Sequence, residues 1–288
     1  MSLLHTAIQT AVIQAAEHAA DQAETVHEAV SHPPELPNFV HMLHEIFPGS
    51  SLFRFLWQIQ DIIFILIIIG VITLFFRSAS RNISMVPKRL QALAEMILEG
   101  LLDIVCGILG EKEGRRYFPF LGSLFIFIIC MNWFGLIPFM KSPSSNILVT
   151  ASLAICVFCY VQYTAVKRLG VKGFVFHLMG EPKDLIGWLM TPLFLPLHVL
   201  EELIKPLSLA CRLYGNVYGE DVLLGVGMVL GIAAVAAFIP GTIIGFPLHF
   251  PFVLLAILLS AIQALVFTLL ATVYISMVLP HEHHEEEE

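Results

Sequence analysis

Apolar residues dominate several long stretches of the chain, and short polar segments separate them. Residues 56–76 are almost all apolar, with Asp61 as the one charged residue, and 21 residues suffice for one helical span of a hydrocarbon layer about 30 Å thick. Four further crossings are predicted over residues 118–138, 147–166, 185–245 and 252–279. The pattern therefore predicts an all-α membrane protein with about five transmembrane helices.

Two stretches depart from a simple perpendicular span. In residues 87–110, acidic side chains recur at 95, 99 and 103 on one side of a helix, which is typical of an amphipathic helix lying along the membrane interface. Residues 185–245 are too long for one crossing and contain prolines and glycines that would kink a helix. We expect a long tilted helix there, forming a hairpin with the last helix.

The two ends of the chain are polar. Residues 1–50 contain no Lys or Arg, which argues against both a signal peptide and a transit peptide, so we expect an extension with one amphipathic helix at about 3–30. Residues 51–280 form the predicted membrane domain, and 281–288 an acidic tail rich in His and Glu. Histidines at both ends could bind a metal, but their spacing favours solvated side chains.

Basic residues set the predicted orientation. Arg77, Arg81, Lys88 and Arg89 follow the first span, which places its end in the cytoplasm and the N-terminal extension outside. Later loops show the same asymmetry, so the C-terminus is also predicted to be cytoplasmic. Asp61 then lies near the outer surface, either as an interfacial carboxylate or at an aqueous entrance.

The composition agrees with a membrane protein, since 57% of residues are hydrophobic and only 13% are charged. A disulfide framework is not expected, because all the cysteines lie in apolar or amphipathic segments: Cys106, Cys130, Cys156, Cys159 and Cys211. The Cys156–Cys159 spacing could suggest a redox or metal pair, but small apolar residues on adjacent turns of a buried helix are the favoured interpretation.

Arg212 is the most unusual residue of the chain, because it lies in the middle of a long apolar sequence. A charged side chain at bilayer depth costs about 3 kcal/mol on insertion scales, so it needs an anionic partner or a water-filled cleft. A guanidinium cannot give up its proton and therefore cannot relay protons itself. Helical spacing places one polar stripe around it, made up of Glu201, Lys205, Ser208, Arg212, Asn216 and Glu220.

No nucleotide-binding loop, zinc-protease motif or nucleophile elbow occurs in the sequence. We therefore expect no catalysis of phosphoanhydride chemistry by this chain alone, no cofactor and no metal site. The chemistry that its charges suggest is ion movement.

Four motifs resemble one family in the same order along the chain. The segment from Lys205 to Asn216 reads Lys-Pro-Leu-Ser-Leu-Ala-Cys-Arg-Leu-Tyr-Gly-Asn, and it is similar to the signature of subunit a of the rotary F-type ATP synthase. Residues 262–267 with 272–276 look like the last helix of that family. Residues 131–138, and the pair Asn146 and Thr150, resemble its middle helices. The resemblance extends from about residue 87 to residue 277.

The resemblance implies a function and a set of partners. In that family the arginine faces the carboxylates of a rotating ring of c subunits, and two offset half-channels connect those carboxylates to opposite sides of the membrane. Arg212 would take this role and conduct protons, or sodium ions, to and from the c ring. Further implied partners are b-type peripheral stalk subunits, membrane lipid and the rest of the F1Fo complex, in a bacterial inner membrane.

The same resemblance implies candidate residues for the outside-facing path. Asn216 and Gln263 match family positions near the arginine. The titratable group of that path corresponds to Asp221 by alignment but to Glu220 by the polar stripe, and the sequence leaves both open. Side chains that could add hydrogen-bonding groups at the entrance are Asn132, Asn146 and Thr150.

The sequence departs from the family pattern at two positions. Seven residues before Gln263, where many members carry a histidine or an acid, it has Ala256, and His249 lies one heptad further upstream. Fourteen residues before Arg212, where a carboxylate is common, it has His198. We expect one of two neighbouring glutamates to line the cytoplasmic path, together with nearby polar residues; the candidates are Glu201, Glu202, Lys205, Ser208 and Tyr274.

Two alternatives from other functional classes deserve a test. In a secondary transporter Arg212 would bind an anionic substrate, and inverted repeats with broken helices in both halves would be expected. In an intramembrane hydrolase a metal would be held by His198 and the glutamates, although no ligand spacing favours it.

Overall fold

The computed structural model describes residues 55–56, 58–81, 89–138, 140–179, 185–236, 247 and 249–279. The predicted N-terminal extension, the acidic tail and the turn near Pro240 lie outside these residues. Apart from short connections and a kink at Gly170, where φ is 71°, the described part is helical, as the sequence predicts. Its helices are α1 (Gln60–Ser80), α2 (Arg89–Leu109), α3 (Glu111–Gly135), a 3-10 turn (Pro143–Ser145), α4 (Ile147–Leu178), α5 (Leu185–Ala236) and α6 (Phe250–Val278).

Four of these helices are long and apolar enough to cross a membrane: α1, α3, most of α4 and α6. Much of their surface is apolar and exposed, including Ile62, Leu66 and Leu74 on α1. Apolar surface on this scale suits lipid or partner helices rather than water. Helix α5 is long too, but charged residues interrupt its apolar sequence, so its crossing of the membrane stays a prediction.

Helix α2 has the amphipathic pattern that its sequence predicts. Glu95, Glu99 and Asp103 are exposed, whereas Leu101 and Val105 are buried against the rest of the chain. Its location along the membrane interface stays a prediction.

Two glycines fix the ends of α3. Gly110, between α2 and α3, has a positive φ of 79°, a conformation that favours glycine. At the other end, a Cβ added to Gly135 would lie only 2.6 Å from Cβ of Ser142 in the following loop. The loop is held there because the Ser142 hydroxyl donates to the backbone oxygen of Met131 at 3.0 Å. The end of α3 and the loop that leads to α4 are thus packed closely together.

Helix α5 runs without a break for 52 residues, with Pro192, Pro196 and Pro206 inside it. At 1.5 Å per residue it is about 78 Å long, more than twice the thickness of a hydrocarbon layer. The prolines therefore do not end the helix, and the long helix predicted around Arg212 is present. Its tilt in the membrane stays a prediction.

The main compact unit includes residues 37–220 and 253–288. Its described core contains side chains from α2 to α6; among the most deeply buried are Val105, Leu121, Ile128, Val157, Leu209, Leu213, Phe267 and Ile275. The middle of α5 is thereby packed on the same core as α6.

Residues 221–252 belong to a second unit. Within it, Gly227 lies so close to the start of α6 that an added Cβ would be 3.1 Å from Cδ2 of Phe252 and 3.3 Å from Cα of His249. His249 is therefore placed against α5 at Gly227.

Candidate ion-translocation site

Arg212 lies on the exposed surface of α5, with Ser208 one turn before it, also exposed. Among the described residues, no carboxylate lies within ion-pairing distance of its guanidinium. The chain therefore does not neutralise this cation with one of its own described acids. An arginine so placed in an apolar helix is available to an anion that another molecule brings.

The predicted polar stripe turns around α5 rather than staying on one face. Each residue advances about 100° around a helix, so a four-residue step overshoots a full turn by about 40°. Arg212 is exposed, Asn216 is half-buried and Glu220 is buried. Successive members thus pass from the open face of α5 to its contact with α6.

Two polar pairs connect α5 to α6 beyond Arg212. Asn216 Nδ2 donates to Gln263 Oε1 at 2.5 Å, so the predicted pair of amides is brought together. One turn further along, the Ser260 hydroxyl donates to Glu220 Oε2 at 2.9 Å. Ser260 is fully buried, and Glu220 is only 7% exposed. Asp221 is half-buried and belongs to the second unit.

Sequence reasoning missed Ser260. Because position 256 is an alanine and not a histidine, His249 was the upstream candidate. Ser260 lies one helical turn downstream of Ala256. The structure places His249 in the second unit, next to Gly227. A search for polar residues one turn from Gln263 would have found the serine.

Polar side chains also gather where α1, α3 and α4 come together. Asn146 Nδ2 donates to Asp61 Oδ2 at 2.6 Å, which joins the first residues of α1 to the start of α4. Asn132 is 3% exposed, and within the described structure neither polar atom of its amide has a hydrogen-bond partner. Buried amides of this kind are usually satisfied by water. Thr150, by contrast, donates to the backbone oxygen of Ile147.

The end of α3 is connected to α6 close to the buried serine. Trp133 Nε1 donates to the backbone oxygen of Ile257 at 3.4 Å, and Ile257 precedes Ser260 by three residues. Asn132, Trp133 and Ser260 thus belong to two helices that are in contact.

On the other side of Arg212, the predicted cytoplasmic residues fall into two groups. Lys205 is bonded to Glu202 at 2.5 Å, and its Nζ lies 5.7 Å from the centre of the Tyr274 ring. His198 Nδ1 lies 3.7 Å from Glu201 Oε2, and the Glu201 side chain is 54% exposed. The two glutamates that the sequence could not separate therefore have different surroundings.

One further residue of this region escaped the sequence analysis. Gln162 of α4 donates through Nε2 to Glu202 Oε2 at 2.8 Å. Its signal was a lone amide in an apolar helix, and such amides often form hydrogen bonds between helices. In the described part of the chain, no group of three or more His, Cys, Asp or Glu side chains could hold a metal ion, so the hydrolase alternative has no candidate ligand set there.

Comparison with known proteins identifies the family. Residues 62–276 match the family model described as ATP synthase A chain. The chain is 43% identical over 249 residues to ATP synthase subunit a of Protochlamydia amoebophila, which covers 86% of this chain and 91% of the relative. It is 41% identical over 202 residues to ATP synthase subunit a of Oleidesulfovibrio alaskensis, covering 70% of this chain and 78% of the relative.

These matches decide between the functional classes left open by the sequence. Both relatives are bacterial, both match over most of their length, and the described helices are those of a multi-pass membrane protein. A secondary transporter is not needed to explain Arg212. The chain belongs to the ATP synthase A chain family, the ion-translocating stator subunit of the Fo sector.

Proposed function

We propose that this chain carries protons between bulk water and the carboxylates of a c-subunit ring, through two half-channels that Arg212 separates. The single observation that carries the proposal is the exposure of Arg212 on the outer face of α5, with no carboxylate partner among the described residues of its own chain. An exposed, unpaired cation in an apolar helix is suited to an anion on a neighbouring subunit.

Arg212 acts electrostatically in this proposal. A fixed cation near a c-subunit carboxylate stabilises the ionised form and lowers the pKa of that carboxylate, so the proton is released before the carboxylate passes. The same cation repels protons that would cross directly between the half-channels. Each proton moved across the membrane supplies about 2.3 kcal/mol per 100 mV, which the ring can convert into rotation.

The outside half-channel is proposed to follow the polar side chains that connect α1, α3 and α4 to the α5–α6 contact. Asp61 and Asn146 form its entrance, and water held by the amide of Asn132 continues it. Glu220, held by Ser260, is its proton-exchanging group, and the Asn216–Gln263 pair leads to Arg212. In this assignment Glu220 takes up the proton, because its carboxylate is buried and accepts a hydrogen bond from Ser260 of α6.

Orientation and partners complete the proposal. Arg77 and Arg81 follow the apolar part of α1, which favours a cytoplasmic end for that helix and an N-terminus outside. The C-terminus is then cytoplasmic, in a bacterial inner membrane. The c ring would cover the Arg212 face, and b-type peripheral stalk subunits would hold the chain against rotation.

Replacement of Arg212 by Ala in the assembled complex tests the proposal. Inside-out vesicles containing Arg212→Ala should lose ATP-driven acidification, because the c-ring carboxylates would no longer release their protons. Arg115→Ala is the matched control, since Arg115 is exposed and pairs only locally with Glu111. Normal pumping by Arg212→Ala would refute the assignment. Pumping that requires Na+ and resists a protonophore would instead identify sodium as the ion.

Crosslinking tests the partner directly. In a cysteine-free chain, Ser208→Cys places a thiol on the Arg212 face, whereas Ser152→Cys places one on an exposed part of α4. Bismaleimide crosslinks to a c subunit that carries an introduced cysteine on its outer helix are expected from position 208 and not from position 152. Equal crosslinking from both positions would contradict a ring on the Arg212 face.

A further inference from the structure

Glu202 is bonded from two directions at once. Lys205, one turn along α5, donates to one carboxylate oxygen at 2.5 Å, and Gln162 of α4 donates to the other at 2.8 Å. The Lys205 ammonium also faces the ring of Tyr274 on α6 at 5.7 Å. Glu202, Lys205, Gln162 and Tyr274 thus form one cluster of four side chains from three helices.

Lys205 lies much closer to Glu202 than to Glu201. Its ammonium lies 2.5 Å from Glu202 but 4.0 Å from Glu201, which is beyond hydrogen-bonding distance. The Lys205 side chain is 15% exposed and that of Glu202 is 24% exposed, whereas Glu201 is 54% exposed. Glu202 is therefore the nearer counter-ion of Lys205, and Glu201, at the limit of ion-pairing distance, is the more exposed of the two.

Helix geometry agrees with this division. Glu201 precedes Arg212 by eleven residues, which brings it to within about 20° of the arginine around the helix axis, whereas Glu202 is rotated by about 80°. Glu201 therefore shares the face of Arg212, and Glu202 is turned towards α4. His198 Nδ1 lies 3.7 Å from Glu201 and also belongs to the accessible group.

We propose that Gln162 and Lys205 fix Glu202 as a permanently compensated carboxylate that positions α5 between α4 and α6, and that Glu201 with His198 exchanges protons on the cytoplasmic side. Gln162 is a positioning residue, because it acts on Arg212 only through the placement of α5. This inference rests on the proposed function and assigns the residues of its cytoplasmic half-channel.

A pair of charges that position a helix differs from a proton carrier in its response to double substitution. Removing one member of a poorly solvated ion pair leaves the other uncompensated, whereas removing both restores neutrality. Glu202→Gln and Lys205→Met should each lower ATP-driven pumping at least about fivefold, and the double variant should recover most of that loss. If Glu202 carried protons, the double variant would stay as impaired as Glu202→Gln.

The pH profile provides a readout that a purely structural role would not change. Glu201→Gln should lower pumping and alter its dependence on the pH of the cytoplasmic side, and Lys205→Met should not rescue it. Gln162→Met should lower the rate about twofold to threefold, leave the pH profile unchanged and reduce the thermal stability of the complex. A pH profile altered by Glu202→Gln/Lys205→Met but not by Glu201→Gln would overturn the proposal.

Two controls separate this inference from the proposed function. Arg212→Ala in the same vesicles should abolish pumping; if it does not, the proposed function itself fails. If Arg212→Ala abolishes pumping but the double variant shows no recovery, only the assignment of Glu202 fails. Ser152→Ala, an exposed serine whose hydroxyl bonds to the backbone oxygen of Leu148, should leave the rate unchanged.

Discussion

Lys205 and Arg212 are two cations on the same helix, seven residues apart, and the chain treats them differently. Lys205 is largely covered, bonded to Glu202 and placed over an aromatic ring. Arg212 is exposed and has no carboxylate partner among the described residues. The first cation is satisfied within the subunit and helps to hold helices together. The second is left for a partner, which is what a stator arginine requires.

The difference between an ammonium and a guanidinium explains why position 205 carries a lysine and position 212 an arginine. A lysine can lose its proton when its surroundings become apolar, but a guanidinium keeps its charge. A lysine with a constant counter-ion is therefore stable in its charge state. A cation that meets a carboxylate only intermittently must hold its charge alone between encounters, and only arginine does this.

Exchange of Lys for Arg at the two positions should give the largest difference in pumping rate between them. Arg212→Lys should lower ATP-driven proton pumping at least about tenfold, because the lysine offers a compact charge that can be deprotonated. Lys205→Arg should change the rate by less than about twofold, since the pair with Glu202 can re-form. Both rates are measured by fluorescence quenching in inside-out vesicles. Equal losses would show that the two cations do not differ in role.

The acids beyond Arg212 allow a second test. Glu220→Gln should reduce pumping about fivefold or more, since it removes the titratable group held by Ser260. Asp221→Asn should have a smaller effect. Initial rates at several external pH values provide the measurement. A larger loss of pumping rate from Asp221→Asn would identify Asp221, and not Glu220, as the proton-exchanging residue of the outside path.

The amide pair between α5 and α6 should show a measurable coupling. Asn216→Ala and Gln263→Ala remove the two ends of one hydrogen bond. The double variant should therefore lower the free energy of unfolding by less than the sum of the two single variants. Interhelical hydrogen bonds in membranes average about 0.6 kcal/mol. Thermal unfolding of the detergent-purified complex provides the free energies. Strict additivity would mean that the two amides act independently.

Two serines provide the smallest contrast. Ser260→Ala removes the donor to Glu220 and should lower the pumping rate about twofold to threefold, because the buried carboxylate loses a hydrogen bond. Ser208→Ala, on the exposed Arg212 face, should change it little. Both variants are compared at equal amounts of assembled complex. A greater effect at position 208 would place the serine of the proton path on the c-ring side.

Periodicity and composition were sufficient for much of the fold. Apolar stretches predicted α1, α3, α4 and α6, and the spacing of Glu95, Glu99 and Asp103 predicted the amphipathic helix α2. The prolines in α5 were harder to interpret, because Pro192 and Pro196 could have ended a helix. They do not, and α5 continues as a helix through both positions although the residues around them are exposed.

The site was predicted less completely. Motif spacing found Arg212, and it found Asn216 and Gln263, which the structure brings together. Spacing could not find Ser260 or Gln162, because each acts on a residue of another helix that is far away in the sequence. It could not separate Glu201 from Glu202 either, since adjacent residues differ only in direction around the helix.

The sequence by itself determined that this is a helical membrane protein with one arginine in an apolar helix, because hydropathy and charge are properties of residue order alone. Only the tertiary structure decided how these charges are surrounded. Lys205 reaches Glu202 on its own helix, but it is packing that brings the amide of Gln162 from α4 to the same carboxylate and leaves Arg212 without a carboxylate neighbour among the described residues.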